Sequence, residues 1–296
     1  MTGKMLKGLA LAALLSVAPV LSPFPTPIAR AQTIEAGLVK LPDATIEYIS
    51  RGEGDPVVLL PAANLTVGYM DGLARELARG GYRVVAINFR GSGKSVGPSK
   101  GVTLQTLADD VAGVMQALQL GPAHLVGNDF GNRVARLLAA SHPDMARSVT
   151  LLSVSGRVEP KPDALHALDV VFNPKSSEAE VIAEMSLLIS NSANSARVWA
   201  QLKPSVDLGA ADVEKAASAA TASDDWWAPA GDARYLILQG EDDQVASPKN
   251  GAQLLKEAGD RATLFNLPKA GHLFPLEQPQ ETASRMIAFF KQVSSE

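Results

Sequence analysis

From residue 34 to the end of the chain, short β-branched apolar runs alternate with segments of helical spacing, and few architectures satisfy that rhythm. A strand without a polar face must be covered on both sides, so the alternation predicts an α/β fold with a largely parallel central sheet and helices on both faces. Val57-Val58-Leu59-Leu60 reads as one such buried strand. Residues 83–87, 123–126, 148–154, 235–238 and 262–267 read as others, and 34–40 with 44–50 as an antiparallel pair that opens the fold. Helices are expected over 69–80, from a Thr103 N-cap to about 120, and over 131–141, 248–258 and 278–292. No segment repeats at a fixed period, which excludes a solenoid or propeller.

Two stretches stand outside this rhythm. Residues 155–230 are rich in Ala and Ser, with helical spacing around 178–190, 193–202 and 210–222, and they hold Trp199, Trp226 and Trp227. Flanked by sheet strands and by no long spacer, they read as a helical cap insertion in a core made of 32–154 and 231–296. Residues 1–31 read as a signal peptide. Lys4 and Lys7 precede an apolar run over 8–21, and Ala29-Arg30-Ala31 has the A-x-A form of a cleavage site. That run of 14 residues, broken by Pro19, is shorter than the roughly 20 needed to span a bilayer. A periplasmic or secreted protein, with no stable membrane insertion after cleavage, is the expectation.

Composition removes several function classes. Cleavage would take away three cations and no acid, leaving 27 − 3 = 24 Lys and Arg against 31 acids. A mature charge of −7 on that count gives no basic stripe for a nucleic acid. Without cysteine there is no disulfide, thiol nucleophile or thiolate metal site. His124, His142 and His166 do not cluster with acids at ligand spacing, so neither a metal nor another cofactor is expected. Gly93-Lys94-Ser95 mimics the tail of a phosphate-binding loop, but the glycine required five places earlier is Asn88.

The chemistry concentrates at three strand ends. Gly127-Asn128-Asp129-Phe130-Gly131 follows the strand 123–126 and precedes a helix. In a G-x-Nuc-x-G turn the glycines permit a tight junction that leaves the middle side chain exposed above the sheet, at the positive end of the next helix. Strand 235–238 leads to Gly240-Glu241-Asp242-Asp243, and strand 262–267 to Ala270-Gly271-His272. The order nucleophile, acid, histidine places His272 as the base and an acid as its orienting partner.

These elements resemble the α/β-hydrolase superfamily over nearly the whole chain after residue 31. Asn88-Phe89-Arg90-Gly91-Ser92-Gly93-Lys94-Ser95 resembles the family's D-x-R-G-x-G-x-S loop, with Asn88 for Asp, and Gly271-His272-Leu273-Phe274-Pro275 resembles its closing histidine segment. The resemblance implies that Asp243 is the acid, in preference to Glu241 and Asp242. An Asp at the elbow is similar to the epoxide hydrolase and haloalkane dehalogenase branch, which implies an alkyl-enzyme ester on Asp129 that water, activated by His272, then hydrolyses. The N–H groups of Phe130 and Ala63 are the implied oxyanion donors. Asn64, Arg133, Trp199 and Trp226 are candidates to touch a small, largely apolar substrate. Three departures from the branches are plain. Phe130 stands where the dehalogenases have Trp, residues 155–230 lack the epoxide hydrolases' tyrosines, and Pro61-Ala62-Ala63-Asn64 replaces the usual His-Gly. Hydrolysis of an ester or lactone by His272-activated water, and a non-catalytic ligand binder, are the alternatives.

Overall fold

The apolar runs form the strands they predict. The computed structural model describes residues 34–227 and 231–295, so the segment 1–31 read above as a signal peptide lies outside the described residues. In chain order the elements of the first half are β1 Ile34–Lys40, β2 Thr45–Arg51, β3 Asp55–Leu60, α1 Asp71–Arg79, β4 Tyr82–Ile87, α2 Leu104–Ala117, β5 Ala123–Asn128, α3 Phe130–Ser141 and β6 Ala146–Leu152. The insertion carries α4 Pro162–Val171, α5 Glu178–Glu184, α6 Ser195–Leu202, α7 Ala211–Ala220 and α8 Ser223–Trp227. The chain closes with β7 Arg234–Gly240, α9 Pro248–Ala258, β8 Ala262–Leu267, α10 Phe274–Glu277 and α11 Pro279–Ser295.

One eight-stranded sheet has the order β1-β2-β4-β3-β5-β6-β7-β8. The first two strands pair antiparallel with each other, and β2 pairs antiparallel with β4; every later pairing is parallel. Val57, Val58, Leu59 and Leu60 are fully buried, as a strand covered on both faces requires. One apolar layer joins α1 and α11 to the sheet through Leu73, Leu77, Met286 and Phe290; the other joins α2 and α3 through Leu107, Val111, Val134 and Leu138. The described residues from Ile34 on, those of the insertion included, fall in one compact unit. Among the described residues no helix is long and apolar enough to cross a membrane.

The strand order fixes where a site can form. The chain leaves β3 for β4 on one side and returns to β5 on the other, which opens a crevice beyond the carboxyl ends of β3 and β5. The loop 61–64 and the elbow at Asp129 are the two walls of that crevice. Thr103 caps α2 as its sequence suggests, its hydroxyl accepting from the Thr106 N–H at 3.1 Å. Two expectations needed revision. The helix read over 178–190 breaks after Glu184 into a 3-10 turn, and α4 is a helix the spacing did not single out, with Pro162 at its first position. Strand β6 ends at Leu152 because Ser153 takes a positive φ of 55° and turns the chain.

Candidate active site

The elbow is built by close backbone approach. Asp129 has φ 46° and ψ −105°, a strained conformation for a residue with a side chain. A Cβ on Gly127 would lie 2.3 Å from the Gly131 carbonyl oxygen, and one on Gly131 would lie 2.5 Å from that of Leu60. Only glycine fits at either place, which is the physical content of the G-x-D-x-G spacing. The Asp129 N–H donates to Leu152 O at 3.0 Å, tying the turn to β6, and the Ser155 hydroxyl donates to Asp129 Oδ1 at 3.3 Å. Helix α3 starts at Phe130, so its N-terminus faces the same point.

The acid and the histidine meet on the neighbouring strand ends. His272 Nδ1 lies 3.1 Å from Asp243 Oδ2 and 3.2 Å from Oδ1, and both side chains are buried. Asp243 Oδ1 also accepts from the N–H groups of Val245 at 3.0 Å and Ala246 at 2.7 Å. Glu241 and Asp242 are exposed, and the acid that His272 meets is Asp243. Burial alone would push the His272 imidazole down. The Asp243 charge, its hydrogen bond and the Asp129 charge outweigh burial and raise it to about 9.

The loop after β3 is held away from collapse into the site. Its Ala62 N–H donates to the Tyr69 hydroxyl at 3.0 Å, which donates in turn to Asn128 Oδ1 at 2.6 Å, and the Gly131 N–H donates to Pro61 O at 3.0 Å. Burial holds Tyr69 protonated, well above the usual phenol range. Among the described residues the Ala63 N–H has no acceptor, and the Phe130 N–H, first in its helix, has none within the helix.

A cavity of about 560 Å³ lies over these groups. Asp129, His272, Ser155, Ala63, Asn64 and Arg133 line it, and the rest of its wall is largely aliphatic, with Leu168, Leu188, Leu202 and Leu273 from the insertion and the closing segment. The structure therefore brings together Asp129, His272, Ala63, Asn64 and Arg133, with Asp243 directly behind the histidine. Trp199 and Trp226 do not line the cavity. Trp199 is buried in the core of the insertion, and the Trp226 ring packs on the guanidinium groups of Arg133 at 5.0 Å and Arg136 at 4.9 Å. Arg136 is fully buried and donates to the carbonyls of Asn132 and Trp227. Burial lowers it to about 9. Ser155 and the Tyr69–Asn128 pair escaped sequence reading because no spacing marks them. Among the described residues no group of three or more His, Asp or Glu side chains could hold a metal ion.

Residues 55–183 match the family model described as the alpha/beta hydrolase fold. The chain has the α/β-hydrolase fold. It is 27% identical to a non-heme chloroperoxidase of Streptomyces lividans, over 81% of this chain and 92% of that protein. The structure of E-2-(acetamidomethylene)succinate hydrolase superposes with a TM-score of 0.72 at 20% identity, covering 88% of this chain and 100% of the other. Est816, described as an N-acyl homoserine lactone degrading enzyme, superposes with a TM-score of 0.67 at 26% identity, over 86% of this chain and 100% of its own.

Proposed function

We propose that this α/β-hydrolase is an exported enzyme that hydrolyses a small, largely apolar substrate, an epoxide or alkyl halide, through an alkyl ester of Asp129. The convergence of Asp129 and His272 on one cavity with a largely aliphatic wall supports this most strongly. A carboxylate needs no base to attack saturated carbon. One Asp129 oxygen forms the new C–O bond while the carbon–halide or carbon–epoxide-oxygen bond breaks. Esterification removes the Asp129 charge, which is one of the causes that raise His272. The imidazole thereby becomes easier to deprotonate at the stage where a base is needed. His272 then takes a proton from water as that water attacks the Asp129 ester carbon, and the Ala63 and Phe130 N–H groups receive the oxyanion. Collapse of the intermediate breaks the ester C–O bond and restores the carboxylate, and the departing alkoxide takes the proton held by His272; a halide has by then left as the anion, and an opened epoxide oxygen has taken its proton from solvent.

A His272→Gln variant incubated with 1,2-epoxyoctane and with 1-bromohexane tests the displacement by intact mass. A stable adduct that maps to Asp129 is the expected result; no adduct with either probe would reject it. Export is tested separately by fractionating cells that express the full chain, where a mature protein starting at Gln32 outside the cytoplasm is expected. A second possibility, ester or lactone hydrolysis by His272-activated water, is favoured by the likeness to Est816. It predicts that Asp129→Ala keeps most of the activity toward an aliphatic lactone.

A further inference from the structure

The loop that carries Ala63 has an unusual problem. Pro61-Ala62-Ala63-Asn64 contains no glycine, yet Asn64 sits at a positive φ of 62°. Asn tolerates that conformation better than other side-chain-bearing residues, and contacts from the insertion hold it there. The Asn64 N–H donates to Glu214 Oε2 at 3.0 Å, across 150 residues of sequence. The Asn64 carbonyl accepts from the Asp207 N–H at 2.9 Å, the Thr66 N–H donates to Ser205 O at 2.8 Å, and Leu65 forms an isolated β-bridge with Val206. Asp207 Oδ2 in turn accepts from the Gly93 N–H at 2.7 Å. The loop after β3 is thus gripped on both its donor and acceptor sides by the segment 205–214.

Glu214 is the costly member of this grip. It is 4% exposed, and its second oxygen, Oε1, is buried with no hydrogen-bond partner among the described residues. An aliphatic residue on that face of α7 would pack without leaving a polar atom unsatisfied. The carboxylate is therefore kept for its one contact, the backbone N–H next to Ala63. We propose that Glu214 is a positioning residue that sets the Ala63 N–H as an oxyanion donor, so that the insertion completes the site of the core. This rests on the Asp129 ester mechanism. It has a specific kinetic consequence, because displacement at carbon develops no charge on the Asp129 carbonyl, whereas water attack on the ester does.

The experiment follows both half-reactions by rapid quench and intact mass, with 1,2-epoxyoctane and 1-bromohexane as probes, in wild type, Glu214→Ala and Glu214→Gln. Amide hydrogen exchange across 61–66 is measured on the same proteins without any substrate. Glu214→Ala is expected to form the Asp129 adduct within about twofold of the wild-type rate. Its decay should slow by about tenfold or more, a modest share of what losing an oxyanion donor costs. Exchange across 61–66 should accelerate by a similar factor. Glu214→Gln keeps an oxygen acceptor for the Asn64 N–H and should return both readouts to near wild type. Unchanged loop exchange in Glu214→Ala overturns the proposal, as does a Gln variant that behaves like the Ala variant. Equal slowing of formation and decay also overturns it, since a general loss of packing would do that. If His272→Gln forms no adduct with either probe, the displacement mechanism fails, and the exchange measurement alone then decides whether Glu214 sets the loop.

Discussion

His272 Nδ1 faces both oxygens of Asp243, at 3.1 and 3.2 Å, while Val245 and Ala246 hold that carboxylate through their N–H groups. Two backbone N–H groups hold the acid independently of the histidine, which gives the ring a fixed partner. With Nδ1 donating to the acid, Nε2 is the nitrogen left for the proton of an attacking water.

The balance of forces on His272 can be read by titration. Burial lowers its proton affinity, and Asp243 and then Asp129 raise it, to a net value of about 9. NMR titration of the His272 ring should give a midpoint near 9 in wild type, a lower one in Asp129→Asn, and the lowest in Asp243→Asn. A midpoint indifferent to the Asp243 substitution would contradict this account. The folded value lies above the ordinary 6.5, so the associated stability is full below pH 6.5 and is lost as pH rises through about 9.

Gly127 sets a limit on what the elbow tolerates. An added Cβ would meet Gly131 O at 2.3 Å, Gly131 C at 2.4 Å and Asn132 N at 2.6 Å, all backbone atoms at a strand–helix junction. None can swing aside as a side chain would, so Gly127→Ala should cost about 3 kcal/mol or more in urea unfolding. Gly121 is the control. It has φ 65° with nothing within 4 Å of a built Cβ, so Gly121→Ala should cost only about 1–2 kcal/mol, the strain of the left-handed conformation.

The sheet, the elbow and the order of acid and histidine were legible because each leaves a local mark. Buried strands are continuous apolar runs, and Gly127 and Gly131 report backbone contacts that no other residue allows. Asp243 could be chosen over Asp242 only by likeness, since both follow the same strand; burial then separates them. The insertion was legible only in outline. Trp199 and Trp226 suggested a substrate wall, but large aromatics serve packing equally well, and Trp226 packs on Arg133 and Arg136. Glu214 was invisible for a related reason. An acid on an Ala-rich helix has the same appearance in sequence whether it meets water or a buried N–H 150 residues away.

Ser155 gives the nucleophile a preferred face. Its hydroxyl donates to Asp129 Oδ1 at 3.3 Å, which leaves Oδ2 as the less encumbered oxygen for attack. In a His272→Gln background, where the adduct accumulates, Ser155→Ala should slow adduct formation by about threefold to tenfold, the worth of one modest hydrogen bond. Ser155→Thr, which keeps the hydroxyl, should recover most of the loss. Equal rates in the Ser and Ala proteins would remove Ser155 from the mechanism.

Glu214 should also leave a signature in the pH dependence of stability. Burial first, then the charges of Asp129 and Asp207, push its carboxyl from 4.5 up to about 7, against the pull of the Asn64 N–H. A carboxyl whose folded value is raised binds its proton more tightly when folded. Its stabilising contribution is therefore full below pH 4.5 and is lost as pH rises through about 7. At 1.36 kcal/mol for each unit, the wild type should give up on the order of 3 kcal/mol from this group between pH 4.5 and 8. Glu214→Gln has no proton to lose and should not follow. His272 acts in the same direction but is present in both proteins, so the difference between their urea midpoints at pH 5 and pH 8 isolates Glu214. The Gln variant should gain on wild type as pH rises. Parallel profiles would mean that the carboxyl titrates at 214 as it would in water, and that the Asn64 contact is made by a charge the fold does not strain to bury.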